Sequence, residues 1–208
     1  MDFIPTRRRL FINCFTLHPY LSALEVGLEK IIHYTIYLME VKLRNWQVSD
    51  IPALVKLGDN LNIARNMTDG FPSPYTCESA ERFIALASHE QPRKIQAILF
   101  DNKVCGSIGI YPQFDIFKLN AELAYWLGEP YWGKGIMSQA VRLMCDYAFS
   151  SWKLQRIYAR PFGRNTASQR VLEKAGFTLE YSLQDNLFKD GKLEDELCYG
   201  LRNPNFKV

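Results

Sequence analysis

The stretch LGEPYWGKGIMSQA, Leu127 to Ala140, carries the residue types and spacing best suited to chemistry. Gly133 and Gly135, on either side of Lys134, permit dihedrals and a close backbone approach that side chains would block. A helix starting just after them points its unsatisfied N–H groups, and the positive end of its dipole, at the same place. Ser138 and Gln139 fall in its first turn, where polar groups can assist. Such a loop suits a phosphate. Gly128, four residues, then Gly133-Lys134 is nearly a nucleotide P-loop, but the Ser or Thr that holds magnesium is replaced by Gly135. About 70 residues follow, too few for the parallel strands and helices of such an ATPase. The pattern argues against ATP. Two readings stay open for the loop alone: a site for a different phosphate, or a tight turn with nothing bound.

Other chemistries find little support. The five cysteines are scattered, odd in number and never spaced as CxxC, and the three histidines lie far apart, so no metal is expected. Cys105 and Cys145 sit inside apolar patterns, as buried thiols do. This usage fits a reducing cytoplasm. No GxSxG elbow or Cys–His pairing signals a covalent nucleophile. A net charge of +3, on 25 basic and 22 acidic residues, comes with no basic stripe beyond Arg7-Arg8-Arg9, so no nucleic-acid partner is expected.

The elements that must position the loop can be read from periodicity and punctuation. Residues 1–38 read as an N-terminal extension, either a non-native start or an add-on helix. LSALEVGLEKIIHYTIYL is amphipathic but interrupted by Glu25, Glu29 and Lys30, so no membrane span is expected. Residues 39–208 read as one domain. VKLRNW alternates like a strand, and Ser49-Asp50 with Pro52 reads as the cap and first turn of a helix. GFPSPY is a loop, after which Thr76 caps a second helix with Ala80, Phe83, Ile84 and Ala87 on one face. KIQAILF and VCGSIGIY flank a hairpin turn at Asp101-Asn102-Lys103. AELAYWL is the strand that enters the glycine loop. Met137, Ala140, Val141, Met144 and Ala148 form the stripe of the helix that leaves it. QRIYARPF is a strand, Asn165 to Ala175 a short helix ended by Gly176. FTLEYSL and EDELCYGL close the chain around Asp190-Gly191. The order β, α, α, β, β, β, α, β, α, β, β predicts an α/β (α+β) domain: one mixed, mostly antiparallel sheet flanked by helices.

YWGKGIMSQAV, followed some thirty residues later by RNTASQRVLEKAGF, resembles the GNAT superfamily of N-acetyltransferases. The branch it is most similar to is the RimJ/RimL type, which acetylates ribosomal-protein N-termini. The resemblance spans roughly Met39 to Asn203. It implies an acetyl-CoA cosubstrate, an amine acceptor such as a protein N-terminus or a small molecule, and a homodimer as an available assembly. It also implies that backbone N–H groups from Gly133 to Ser138, with Lys134, Gly135, Ile136 and Met137 between, hold the pyrophosphate of coenzyme A. Trp132 stands where the superfamily has Gln or Arg, and Met137 where it has a small residue. Ala124 to Leu127, including Tyr125 and Trp126, would lie along the pantetheine arm, and Asn165 would contact the cofactor while capping its helix. Arg164 and Arg170 would reach the 3′-phosphate, and Phe71 and Tyr75 would wall the acceptor pocket.

Transfer to an amine needs a base, a donor for the thioester carbonyl and an acid for the thiolate. Glu122, between Ala121 and Leu123 in the strand that leads to the loop, is the expected base, with Asp115 and Glu129 as substitutes. A backbone N–H within Tyr125 to Leu127 would polarise the carbonyl. The tyrosine that many members place four residues before the GF glycine is Leu172 here, and Ser168 matches the serine this branch uses near the sulfur. The rival function is a non-catalytic acyl-CoA-binding or sensing module on the same fold.

Overall fold

The computed structural model describes residues 40–89 and 91–207. The expectation that 1–38 form an extension lies outside the described residues. Seven strands form one sheet in the order β1-β2-β3-β4-β5-β7-β6. They are β1 Val41–Arg44, β2 Ile95–Phe100, β3 Lys103–Pro112, β4 Asn120–Leu127, β5 Arg156–Ala159, β6 Thr178–Lys189 and β7 Lys192–Arg202. Every neighbouring pair is antiparallel except β4 and β5. Among the described residues five α-helices accompany them: α1 Ile51–Gly58, α2 Leu61–Ala64, α3 Cys77–Ala87, α4 Ile136–Ser151 and α5 Thr166–Lys174. The fold is therefore the mixed, mostly antiparallel α/β sheet that the order of elements predicts. One element was not expected. Asn60 caps a single-turn helix, α2, by accepting from the Asn62 N–H at 2.8 Å, and one turn is too short to leave an apolar stripe in the sequence.

Each face of the sheet has its own core. Ile98, Ile108, Ile110, Leu123 and Ile157 pack on one side with Val141 and Met144 of α4 and Leu172 of α5. Ala97, Leu99 and Trp126 pack on the other with Leu54 of α1 and Ala80 and Ile84 of α3. Both hairpin turns have two left-handed residues, Asp101-Asn102 and Asp190-Gly191, which matches the twist of the strands they join. Gly176, at φ +96°, ends α5, and the Phe177 N–H reaches back to the Leu172 carbonyl at 3.0 Å.

At the start of α1, the expected capping by Asp50 is replaced by another bond. Asp50 sits at the N-cap without a capping hydrogen bond. Its carboxylate takes both Nη groups of Arg44 at 2.7 Å and the Gln47 N–H at 2.9 Å. Burial pushes the Asp50 carboxyl up, but the Arg44 and Gln47 bonds outweigh it and hold the group below its ordinary value. Its stabilisation is thus complete at neutral pH and is lost as pH falls below about 4. Asp50→Asn is expected to lower stability by about 1–3 kcal/mol at pH 7. In urea melts at pH 7 and pH 3 the difference from the native chain should shrink at the lower pH.

A second constraint holds β4 in place. A Cβ on Gly106 of β3 would lie 2.4 Å from the Trp126 carbonyl oxygen and 3.0 Å from the Leu127 Cα. Backbone cannot yield as a flexible side chain can, so Gly106→Ala should cost about 1–3 kcal/mol. A lowered urea midpoint with an unchanged slope is the expected result.

Candidate active site

The site is built where β4 parts from β5. The two pair in parallel for three residues, ending with Glu122 opposite Tyr158. Beyond that point the chain after β5 stays with β7: the Leu197 N–H donates to the Pro161 carbonyl and the Gly163 N–H to the Asp195 carbonyl. Pro161 has no N–H of its own to offer β4. The other edge of β4 stays paired with β3 as far as Leu127. The segment Leu123 to Leu127 therefore runs along a gap, and it leads directly into the glycine loop.

In that loop Gly133 and Gly135 have φ of +75° and +73°, with open space where a Cβ would be. Gly135 is the N-cap of α4 and supplies no side chain to the first turn, whose first intrahelical bond is Gln139 N–H to the Gly135 carbonyl. The N–H groups of Ile136, Met137 and Ser138 precede that bond. The side chains of Ile136 and Met137 are buried in the core, so these residues offer only backbone to the loop. Trp132 anchors the turn by donating from Nε1 to the Leu127 carbonyl at 2.7 Å. Lys134 turns back on its own loop, with Nζ on the Pro130 carbonyl at 2.9 Å and over the Tyr131 ring.

Tyr125 and Ser168 meet across the gap. The tyrosine of β4 projects to the α4 side of the sheet, and its hydroxyl lies 2.8 Å from Ser168 Oγ on α5. Burial drives the Tyr125 phenol up, against the bond to Ser168, so it stays protonated at any physiological pH. Asn165 caps α5 by accepting from the Ser168 N–H at 3.2 Å, which fixes where the serine stands. Sequence spacing placed Asn165 and Ser168 on one helix, but the Tyr125 partnership needs the strand's facing and could not be read from it.

On the opposite face lies a cleft of ≈ 430 Å³, with Ala124 and Trp126 of β4 and Ser107, Gly109 and Tyr111 of β3 along its floor. Phe71 and Tyr75 stand in its wall, edge-on to each other at 5.3 Å, and Phe71 meets Trp126 at 5.9 Å. Tyr75 is almost wholly buried, and burial pushes its phenol up to about 12. Glu122 projects to this same face, beside Tyr111, and so lies across the sheet from Ser168. Both of its oxygens are taken by Arg160, with Nε and Nη2 at 3.1 Å, and Arg160 also reaches the buried Glu196 at 3.1 Å. Arg160 had no signal of its own in the sequence. Of the substitutes for Glu122, Glu129 is held by Asn60 and Asn62, and Asp115 lies in the exposed β3–β4 turn.

The arginines expected near a phosphate differ from each other. Arg170 is exposed on α5. Arg164 is engaged: it donates to Glu194 at 2.7 Å, to the Asn66 side chain at 2.5 Å and to the Arg65 carbonyl at 2.7 Å. It pins the chain beside the cleft to β7 and to the start of α5.

The acetyltransferase (GNAT) domain profile matches residues 40–178. The chain belongs to the GNAT acetyltransferase family. It is 39% identical over 105 residues to the probable N-acetyltransferase YjcK of Bacillus subtilis, a match covering 50% of this chain and 58% of YjcK. It is 29% identical over 173 residues to the uncharacterised N-acetyltransferase p20 of Bacillus licheniformis, covering 80% of this chain and 95% of p20. Among solved structures, RimL, an alpha-N-acetyltransferase of a ribosomal protein determined in complex with coenzyme A, superposes with a TM-score of 0.68 at 25% identity. That superposition covers 78% of this chain and 93% of RimL. The GNAT match includes β4, the glycine loop, Asn165 and Ser168, and it ends at the first residue of β6. Among the described residues no helix is long and apolar enough to cross a membrane, and no three His, Cys, Asp or Glu side chains gather as metal ligands.

Arg164→Gln removes the two bonds that reach the chain around residues 65–66, to the Asn66 side chain and the Arg65 carbonyl. Amide exchange in that segment should speed up at least tenfold, while β2 and β3 stay as protected as before. Equal exchange in both proteins would show that Arg164 does not hold the segment.

Proposed function

We propose that the protein transfers the acetyl group of acetyl-CoA to a primary amine, on a protein N-terminus or a small molecule, by direct attack. The observation that carries this reading is the unpaired edge of β4 after Glu122, running straight into the N-terminus of α4. The N–H groups around Gly133 to Ser138 would hold the pyrophosphate, and the edge of Ala124 to Leu127, free of β5 and engaged only where Trp132 donates to the Leu127 carbonyl, would take the pantetheine amides as a further strand does. Asn165 and the exposed Arg170 would border the cosubstrate at α5. The free cysteines Cys105, Cys145 and Cys198, all buried, suit a reducing cytoplasmic setting.

The chemistry then divides between the two faces of the sheet. The amine enters from the cleft, loses a proton to Glu122, and its lone pair attacks the carbonyl carbon. A backbone N–H of Tyr125 to Leu127 stabilises the oxyanion. As the tetrahedral intermediate collapses, the C–S bond breaks, the departing thiolate accepts a hydrogen bond from Ser168 Oγ, which the Tyr125 hydroxyl keeps oriented, and the excess proton on the acylated nitrogen passes to the sulfur, leaving neutral amide and thiol. For Glu122 to accept a proton, the Arg160 fork must yield one of the two oxygens it occupies. Arg160 thus acts as a positioning residue for the carboxylate.

Ser168→Ala should lower kcat by roughly 10²-fold or more, with little change in acetyl-CoA affinity, read by thiol release and by titration calorimetry. Glu122→Gln should do the same. Loss of binding in place of turnover would move either residue out of the chemical step. A thermal shift separates this reading from a phosphate-free turn: acetyl-CoA at 100 times its dissociation constant should add about 2.7 kcal/mol. A chain that binds acetyl-CoA and acetylates no amine would instead be a sensing module.

A further inference from the structure

The cleft against Ala124 and Trp126 is the one the acceptor must enter if the proposed function holds, and the inference below rests on that reading. Its lining is mostly apolar and aromatic: Phe71, Tyr75, Phe83 and Trp126 stand around it with Met67 and Leu86. Among the described lining residues the single charged side chain is Arg82, and no carboxylate faces in. Four of the carboxylates on the surrounding elements already have partners. Glu78 holds Arg82, Asp59 accepts from the Tyr75 N–H at 3.1 Å, Asp69 holds Lys189 at 2.6 Å, and Glu122 is gripped by Arg160. A second or third ammonium seated among these side chains would lose part of its water with no carboxylate in the lining to replace it, and burying an unpaired charge is costly. An aromatic or aliphatic body, by contrast, exchanges water for the rings of Phe71 and Trp126. The volume of ≈ 430 Å³ suits a group of amino-acid to dipeptide size.

We infer that the acceptor is a primary amine with a single positive charge carried on an apolar or aromatic body, and that polyamines are poor acceptors. The lone reacting ammonium needs only Glu122, which stands beside Tyr111 at the rim of the cleft. The rest of the molecule is recognised by apolar contact, so the same chemistry is met by a free arylalkylamine and by a peptide whose first residue is apolar.

The test measures kcat/KM by thiol release for four acceptors: phenethylamine, a C-terminally blocked tripeptide beginning with Phe, putrescine and spermidine. The first two should exceed the polyamines by at least tenfold, the effect of burying one apolar side chain. Whichever of the two is faster shows whether the amine comes free or on a peptide. Spermidine or putrescine equal to or better than both would overturn the inference. A second arm needs no turnover: melting shifts with the same four amines are recorded with coenzyme A present. Stabilisation by the aromatic amines alone, without thiol release, would keep the cleft assignment and sink the acetyl-transfer reading. Stabilisation by none of them, beside a normal response to coenzyme A, would overturn the cleft assignment itself. Phe71→Ala should raise KM for phenethylamine about tenfold and leave the melting shift with coenzyme A unchanged.

Discussion

Three residues of parallel pairing between β4 and β5 decide most of what this molecule can do. Pairing continued for five more residues would satisfy the backbone of Leu123 to Leu127 within the sheet and close it. Instead the chain after β5 follows β7, and Pro161 withholds the N–H that could have bridged back. Backbone donors and acceptors are obligatory groups, so an edge of this kind in the middle of a sheet calls for a partner. The glycine loop begins where the edge ends, and the anion-binding end of α4 is therefore collinear with it.

The same parting sorts side chains onto two faces. Because side chains alternate along a strand, Glu122, Ala124 and Trp126 share the face of the sheet that carries the cleft, with Glu122 beside its rim, whereas Leu123, Tyr125 and Leu127 face α4 and α5. A carboxylate and a hydroxyl pair thus stand on opposite sides of one narrow gap. Their surroundings differ as well. Arg160 compensates Glu122 and Glu196 across β4, β5 and β7, while Tyr125 and Ser168 are neutral and sheltered. Arg164 links the two halves, touching the chain beside the cleft at one end and standing next to the Asn165 cap at the other.

Much of this was legible in the amino-acid sequence. The strands and the long helices were marked by alternation, by i, i+4 stripes and by punctuation at Thr76, Asn165 and Gly176, all of which are local signals. The glycine loop was legible for the same reason, since Gly133 and Gly135 are needed by backbone conformation alone. What depends on register was not. Arg160 becomes Glu122's partner because β5 lies beside β4 with Tyr158 opposite Glu122, 36 residues away in sequence. The Tyr125–Ser168 pair needs the facing of β4 and the rotation of α5 together. Asp50 looked like a helix cap and is instead the counter-ion of Arg44, because a charged hydrogen-bond fork outweighs a single cap. The short helix α2 escaped notice because one turn carries no periodicity.

Amide hydrogen exchange with and without acetyl-CoA reads the backbone groups along the free edge of β4 themselves. If the cosubstrate lies along that edge, exchange slows in three separate segments, 124–127, 133–138 and 165–168, with β1 and β2 unaffected. Unchanged exchange along 124–127 in a protein that visibly binds acetyl-CoA would contradict that placement, because the free edge of β4 would then not be where the cosubstrate lies.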